Sequence, residues 1–174
     1  MRQAIVFRSD WGWMGISESR KGIDGIALPQ TSKQRAAAVL REQAPDDLVM
    51  ELSPQLSRAQ AQLLDYLAGE RQTFDLPLDF SRGTTFQRQV WRMLLRVPYG
   101  KLRSYQWVAS RVGGRQYARA VGNAVGANPL PIVVPCHRIV AQDATLGGFS
   151  GGLPTKRKLL TLEGTLVQLQ RGRT

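Results

Sequence analysis

The sequence has very few residues of the kinds that form disulfides or bind soft metals. Among its 174 residues there is one cysteine, Cys136, and one histidine, His137, side by side. A single cysteine excludes an internal disulfide and fits a reducing compartment. The pair also supplies too few soft ligands for a structural zinc site. We therefore expect neither a metal nor a cofactor.

Long apolar segments are lacking as well. Residues 1–10 have no apolar core of signal-peptide length, and no stretch approaches about 18 consecutive apolar residues. These features predict a cytoplasmic protein that does not span a membrane.

Acidic residues are scarce in the second half of the chain. Residues 83–174 contain 14 Lys/Arg and 2 Asp/Glu, a net charge of +12, whereas residues 1–82 contain 10 and 11, a net charge of −1. This asymmetry predicts a polyanionic partner for the second half only. A basic surface that serves solubility alone is the alternative.

Residues 1–76 predict a small α/β domain with a short antiparallel sheet. Segments 3–8, 11–17 and 23–28 are rich in β-branched and aromatic residues and bounded by turn residues, which is typical of strands. Ser32, and Ser53 followed by Pro54, are candidate N-caps of two helices. We find no catalytic constellation in this region.

Residues 77–84 predict an extended linker, and residues 85–174 a second, mostly helical domain. Thr84 and Gln87 match a capping box before an amphipathic helix. Two short helices, at 105–112 and about 116–127, are joined by a glycine turn. This is typical of a helix-turn-helix, although many helical hairpins share the pattern.

The second of these two helices is made of small residues, and Arg119 is its only charged side chain. Its two interior glycines each lower helix stability by roughly 1 kcal/mol. Close approach of a ligand to the backbone would explain them, and so would tight packing against another helix.

Cys136 follows an apolar run, residues 132–134, which predicts a buried strand leading to the thiol. The thiolate is the reactive form of cysteine, so a nucleophile needs a base or cation beside it. His137 and Arg138 follow Cys136 directly. A lone cysteine is also commonly a small buried hydrophobe, so a protease, a redox sensor and a core residue stay open on these residues alone.

The chain continues with a glycine-rich loop, residues 147–152, and a last helix at about 155–163. Lys156, Arg157 and Lys158 fall in the first turn of that helix, where positive charge opposes the helix dipole. This placement predicts an anionic partner nearby.

An ordered set of motifs spans residues 83–164: Ala118-Arg119-Ala120-Val121-Gly122, Asn128-Pro129, Pro135-Cys136-His137-Arg138, Ser150-Gly151-Gly152 and Leu159-Leu160-Thr161-Leu162-Glu163-Gly164. In order and spacing it resembles the O6-alkylguanine-DNA alkyltransferase family, and the first 76 residues match that family in layout. The resemblance implies an α/β fold class: a small N-terminal α/β domain and a winged-helix-like C-terminal domain with a helix-turn-helix.

The resemblance implies direct-reversal DNA repair. A methyl or other small alkyl group passes from the 6-oxygen of guanine, or from O4 of thymine, to Cys136 in a single irreversible turnover. The damaged nucleotide is first flipped out of the duplex. The implied partner is double-stranded DNA containing alkylated guanine, bound in the minor groove by a monomer that can assemble cooperatively.

The resemblance also implies roles for individual residues. Cys136 is the acceptor, His137 takes its proton through a water, and Glu163 orients the imidazole as in a catalytic triad. Tyr105 hydrogen-bonds the guanine ring and helps protonate the leaving base. Asn128 shapes the turn beneath the site.

Two larger sets are implied in the same way. The base-binding set comprises Pro131, Val134, Ile139, Gly147, Phe149, Ser150 and Gly151. The DNA-binding set comprises Arg119, which fills the place vacated by the flipped base, with Tyr105, Ala118, Ala120, Gly122, Asn123, Gly126 and Arg138.

The sequence departs from the family in that Phe149 stands where many members have tyrosine, which bears on the preference among alkyl groups. Two other functions remain open: a module that binds lesions without chemistry, and a thiol hydrolase acting on an anionic substrate. The alkyltransferase-like proteins, which bind without repairing, replace the cysteine that is present here.

Overall fold

A computed structural model describes residues 1–44, 48–143 and 145–171. The chain divides into two compact units, Met1–Arg82 and Gly83–Thr174. The expected fold class, a small N-terminal sheet with helices followed by a mostly helical part, is confirmed.

The first unit is built on a four-stranded sheet of order β3-β2-β1-β4. Strands β1 (Arg2–Ser9), β2 (Gly12–Ser19) and β3 (Gly22–Gln30) form an antiparallel meander, as the sequence predicts. Strand β4 (Leu48–Met50) pairs in parallel with β1 at the edge. The predicted short antiparallel sheet is therefore confirmed, and the parallel edge strand β4 is an addition that the sequence analysis did not predict.

The register of the sheet aligns apolar residues on its covered face. Ile16 of β2 lies opposite Ile5 on one side and Ile26 on the other. A Cβ at Gly15 would lie 2.6 Å from a methyl carbon of Leu40, so glycine at this position lets a helix pack directly on the sheet.

Two helices cover the sheet, α1 (Lys33–Gln43) and α2 (Pro54–Leu67). Each begins at a predicted cap. The Ser32 hydroxyl accepts a hydrogen bond from the Arg35 N–H at 3.2 Å, and the Ser53 hydroxyl accepts one from the Leu56 N–H at 3.0 Å.

The segment predicted as a linker begins inside the first unit. The Ile23 N–H donates to the Pro77 carbonyl and the Asp79 N–H to the Ile23 carbonyl, both at 2.8 Å. Arg82 donates to the carbonyl of Asp24. The stretch is extended, as alternation of apolar and polar residues predicts, but through residue 79 it is held against β3.

The second unit contains five helices and one small ladder within the described residues: α3 (Thr85–Leu94), β5 (Arg103–Ser104), α4 (Tyr105–Val112), α5 (Ala118–Gly126), β6 (Ile139–Val140), α6 (Leu153–Leu162) and α7 (Leu166–Arg171). Strands β5 and β6 pair in parallel. Helix α7 was not predicted. Its Leu169 packs with Leu160 in a small apolar cluster.

The start of α3 confirms the predicted capping box, with reciprocal hydrogen bonds between Thr84 and Gln87. Helices α4 and α5 form the predicted hairpin, although a 3-10 turn at 115–117 delays the start of α5 to Ala118. The Trp91 indole of α3 donates to the Ala124 carbonyl of α5 at 2.8 Å and fixes the two helices together.

The strand predicted at residues 132–134 is wrong. These residues form a turn, closed by a 2.8 Å hydrogen bond from the Val134 N–H to the Leu130 carbonyl. Ile132 has φ +75°, a left-handed conformation that costs a β-branched residue about 1–2 kcal/mol. The flanking prolines lack N–H donors, which explains why an apolar run here does not join a ladder.

Candidate active site

Cys136 opens a 3-10 turn, Cys136–Arg138, directly after Pro135. Its N–H donates to the Val134 carbonyl at 2.8 Å. The residue is 3% exposed. The turn at 130–134 and this 3-10 turn therefore hold the backbone on both sides of the thiol with local hydrogen bonds.

Asn128 holds the turn that precedes the thiol. Its amide nitrogen donates to the Val134 carbonyl, and its amide oxygen accepts from the Leu130 N–H, both at 2.9 Å. The Asn128 side chain also interacts with the Cys136 sulfur. The structure therefore brings this predicted residue beneath the site.

Burial raises the pKa of the Cys136 thiol above its usual value, while the Asn128 side chain and the charge of Lys156 act in the opposite direction. The thiol is therefore protonated at rest. Nucleophilic chemistry at this sulfur requires a group that removes the proton.

His137 and Glu163 form a buried pair next to the thiol. The His137 Nε2 and the Glu163 Oε1 lie 2.8 Å apart, and both side chains are fully buried. Burial lowers the pKa of His137 below its usual value, although the carboxylate opposes this shift. The imidazole is therefore neutral at pH 7 and able to accept a proton.

Glu163 is ionised in this pair. Burial alone would raise the pKa of its carboxyl group, but hydrogen bonds from His137 and Arg138 outweigh that effect and lower the pKa to about 2. A fixed negative charge thus faces the imidazole and favours the imidazolium that proton uptake would produce.

Arg138 is not available for DNA, and its assignment to the DNA-binding set is wrong. Its Nε and Nη2 donate to the Glu163 carboxylate at 2.9 and 2.8 Å, and its Nη1 donates to the Val97 carbonyl at 2.7 Å. The residue is 6% exposed. The guanidinium therefore neutralises Glu163 within the protein.

A cavity of about 520 Å³ opens above the thiol. Its walls come from α4, α5 and the glycine-rich loop, and consist of Tyr105, Ala118, Arg119, Gly122, Val125, Gly126, Cys136, Gly148, Phe149 and Ser150. Burial raises the pKa of the Tyr105 hydroxyl, which therefore stays protonated and able to donate. A Cβ at Gly147, where φ is +68°, would lie 2.9 Å from that hydroxyl, so glycine is required there.

The outer face of α5 is thin and exposed. Val121, Ala124 and Val125 point into the unit, whereas Arg119, Ala120, Asn123 and Gly126 are exposed. A Cβ at Gly126 would meet nothing within 4 Å, and one at Gly122 would reach Tyr105 only at 3.9 Å. Packing within the protein therefore does not require these glycines.

Some predicted base-binding residues lie outside the wall of this cavity. Pro131, Val134 and Ile139 are buried and Gly151 is exposed, and none of the four lines the cavity. Conversely, Val125 and Gly148 line the cavity and were not predicted. Val125 follows Gly122 by three residues on α5, and this i, i+3 spacing is the signal that could have identified it.

Lys156 does not face an outside anion, as its place in the helix had predicted. It is fully buried, and its ammonium donates to the carbonyls of Ile139, Leu146 and Gly148. Burial lowers its pKa to about 8. The anionic-partner interpretation of this position is therefore wrong.

Over residues 1–44, 48–143 and 145–171, no group of three or more His, Cys, Asp or Glu side chains is arranged to hold a metal ion. None of the helices in that part of the chain is long and apolar enough to cross a membrane.

The fold and the site thus define a helix-turn-helix protein with a histidine-flanked thiol at the base of a cavity. A family profile described as "6-O-methylguanine DNA methyltransferase, DNA binding domain" matches residues 85–165. The methylated-DNA–protein-cysteine methyltransferase of Methanosarcina acetivorans is 42% identical over 160 residues, 92% of this chain and 97% of that protein. The chain belongs to this methyltransferase family.

Further relatives agree. The protein of the same name from Mycobacterium bovis is 50% identical over 107 residues, and the match spans 62% of this chain and 64% of that protein. The crystal structure of Mycobacterium tuberculosis OGT in complex with DNA is matched with a TM-score of 0.80 and 37% identity, over 94% of this chain and 93% of that one.

Proposed function

We propose that this chain is a single-turnover DNA repair protein that transfers a methyl or other small alkyl group from O6 of guanine in DNA, and from O4 of thymine, to the Cys136 sulfur. The observation that carries the proposal is the buried thiol at the floor of a cavity of about 520 Å³, next to the His137–Glu163 pair and bordered by Arg119. Membership of the methyltransferase family supports it.

The first step is activation of the thiol. Because burial raises the pKa of Cys136 and lowers that of His137, the resting state has a thiol and a neutral imidazole. His137 takes the thiol proton through a water, and the ionised Glu163 stabilises the resulting imidazolium. The thiolate then attacks the alkyl carbon.

Transfer breaks the bond between the alkyl carbon and the guanine oxygen as the carbon–sulfur bond forms. The guanine leaves with the electron pair of the broken bond and needs a proton. The Tyr105 hydroxyl, which its raised pKa keeps protonated, supplies a hydrogen bond to the ring and helps to deliver that proton. The thioether has no hydrolysable bond, so the protein acts once.

Binding of DNA occurs through α5. Its exposed face of small residues allows the backbone to approach the minor groove, and Arg119 at the mouth of the cavity fills the place of the flipped nucleotide. The crystal structure of the M. tuberculosis relative in complex with DNA supports DNA as the partner. Binding should weaken steeply with salt because residues 83–174 carry a net charge of +12.

The proposal includes the setting of the reaction. The protein acts in the cytoplasm, as a nucleophilic thiol needs a reducing compartment. It binds as a monomer that can assemble cooperatively on DNA. Phe149 gives the cavity an aromatic wall without a hydroxyl, so apolar alkyl groups are favoured over polar ones.

Incubation with DNA carrying labelled O6-methylguanine tests the proposal. Label should become fixed to protein up to one equivalent, and Cys136→Ala should abolish this while retaining DNA binding. A wild type that binds the lesion and fixes no label would be a binding module. Repeated turnover of an ester or amide would identify a thiol hydrolase, and either result contradicts transfer.

A further inference from the structure

Lys156 of α6 is a fully buried lysine for which the reaction proposed above has no role. Burying an ammonium group costs several kcal/mol unless good partners replace water, and lysine is rarely found fully buried. Here the Nζ donates to the Ile139 carbonyl at 2.7 Å, to the Gly148 carbonyl at 3.1 Å, and to the Leu146 carbonyl. All of these partners are main-chain oxygens.

The three carbonyls belong to two segments with different tasks. Ile139 directly follows the turn that carries the thiol, whereas Leu146 and Gly148 belong to the glycine-rich loop. Gly148 lines the cavity together with the next two residues, Phe149 and Ser150. The ammonium therefore ties the cavity loop to the backbone beside the nucleophile.

Such a tie matters because the sequence of the loop makes it costly to order. Residues 147, 148, 151 and 152 are glycines, which lose the most conformational freedom when they become fixed. Ordering such residues therefore carries a large entropic cost. Three charge-assisted hydrogen bonds to one buried group offset part of that cost.

The same ammonium acts on the thiol. The charge of Lys156 opposes the effect of burial on the Cys136 pKa, and it also lowers the pKa of His137. With its own pKa at about 8, Lys156 is roughly 90% protonated at pH 7. The titratable and charged groups around this part of the site are Cys136, His137 and Arg138 on the 3-10 turn, Glu163 at the end of α6, and Tyr105 on α4.

We propose that Lys156 is a positioning residue of the transfer reaction: its ammonium latches residues 146–150 over the thiol and stabilises the thiolate beneath them. The part concerning transfer rests on the proposed function. A purely structural lysine, which only fills volume and satisfies carbonyls, would leave the thiol unaffected when replaced by an apolar side chain of similar length.

Lys156→Met provides the test, with Lys158→Met, an exposed lysine on the same helix, as the matched control. Backbone amide exchange and the pH dependence of Cys136 alkylation by iodoacetamide are measured for each. In Lys156→Met the amides of residues 146–150 should exchange at least about tenfold faster, while those of α3 and α4 keep their protection. At pH 7, where Lys156 keeps its proton, alkylation of Cys136 should be roughly tenfold slower than in wild type. Lys158→Met should match wild type.

Unchanged loop exchange and an unchanged alkylation rate at pH 7 in folded Lys156→Met would overturn the proposal. If that variant does not fold, the wild-type protein is measured instead. The protection of its loop amides, corrected for intrinsic exchange, should fall between about pH 7 and about pH 9 as Lys156 loses its proton. Loop protection that stays constant over this pH range would contradict the latch. Neither measurement uses alkylated DNA, so failure of wild type to fix a methyl label would refute the proposed function separately.

Discussion

Each of the two units buries a carboxylate against an arginine, and the two pairs serve different purposes. In the first unit Asp24 accepts hydrogen bonds from Arg2 at 2.7 Å and from Ser17 at 2.8 Å, on neighbouring strands of the sheet. In the second unit Glu163 accepts from Arg138 and also lies 2.8 Å from His137, which adjoins the thiol. A carboxylate–arginine pair links strands of the sheet in the first unit, and in the second we propose that it orients a base.

The comparison shows that burial and pairing alone do not identify a catalytic carboxylate. What sets Glu163 apart is a second partner, His137, whose charge changes in the proposed reaction. Around it lie a thiol with a raised pKa, a histidine with a lowered pKa and a lysine with a pKa of about 8. Such a concentration of shifted groups beside a cavity is typical of functional sites.

The largest contrast should come from removing each carboxylate charge. Glu163→Gln leaves Arg138 uncompensated and the imidazolium unsupported, so we expect a loss of about 3–5 kcal/mol in stability and at least about a hundredfold in transfer rate. Urea unfolding and single-turnover transfer measure the two effects.

Asp24→Asn is the matched control for that variant. It should also destabilise the protein, but at a temperature where it stays folded its transfer rate should remain within about twofold of wild type. Two results would remove the distinction between the two carboxylates. One is a folded Glu163→Gln variant with a wild-type transfer rate, and the other is an Asp24→Asn variant that transfers as slowly as Glu163→Gln.

Arg119→Ala should have the next largest effect, and only on duplex DNA. Because Arg119 is exposed at the mouth of the cavity and does not contact the thiol network, its loss should slow repair of a duplex by about 10–100-fold while leaving the reaction with the free base unchanged. Parallel rate measurements on both substrates test this. Equal losses on both would assign Arg119 to another task.

Acid should weaken the second unit through the Glu163 network. Glu163 has a folded pKa of about 2 against 4.5 unfolded, so its contribution is complete above pH 4.5 and is lost as the pH falls towards 2. The pKa of His137 is lowered from 6.5, so the unfolded state takes up its proton first and stability also falls below that pH. We expect a combined loss of a few kcal/mol.

Amide exchange of peptides from α3, measured from about pH 7 down to about pH 2, reports this loss for the second unit. In Glu163→Gln the dependence below pH 4.5 should flatten, because the titrating carboxyl group is gone. If the variant keeps the full wild-type slope, other groups are responsible for the acid sensitivity.

The smallest effect concerns α5, the helix made of small residues. Gly126→Ala adds a methyl group into open space and should raise stability by up to about 1 kcal/mol, yet it should weaken DNA binding because that face approaches the minor groove. Gln89→Ala, on an exposed position of α3, is the control and should leave DNA affinity unchanged. Unaltered affinity in Gly126→Ala would mean that the helix does not approach DNA at this residue.

Sequence reasoning succeeded where the deciding interactions are local. Ser32, Ser53 and Thr84 all cap helices, because each cap is completed by a backbone N–H three residues ahead. The meander β1–β3 is likewise set by alternation and short turns.

It failed where a partner is distant in sequence. Arg138 pairs with Glu163, and Lys156 donates to carbonyls 8 to 17 residues away. The sequence does not reveal these partners, so a basic residue near a DNA-binding motif is more simply assigned to DNA. The turn at 130–134 depends on the Asn128 side chain outweighing the strand preference of an apolar run. The short edge strand β4 is specified only by the backbone of β1 beside it.

The central claim is that the second unit accepts one alkyl group on one sulfur. Intact-mass spectrometry and peptide mapping after exposure to excess O6-methylguanine DNA test it most directly. The account predicts a single added methyl group, located on Cys136, and no further gain with time or substrate. Methylation of any other residue, or substrate consumed in excess of protein without a lasting adduct, would contradict it.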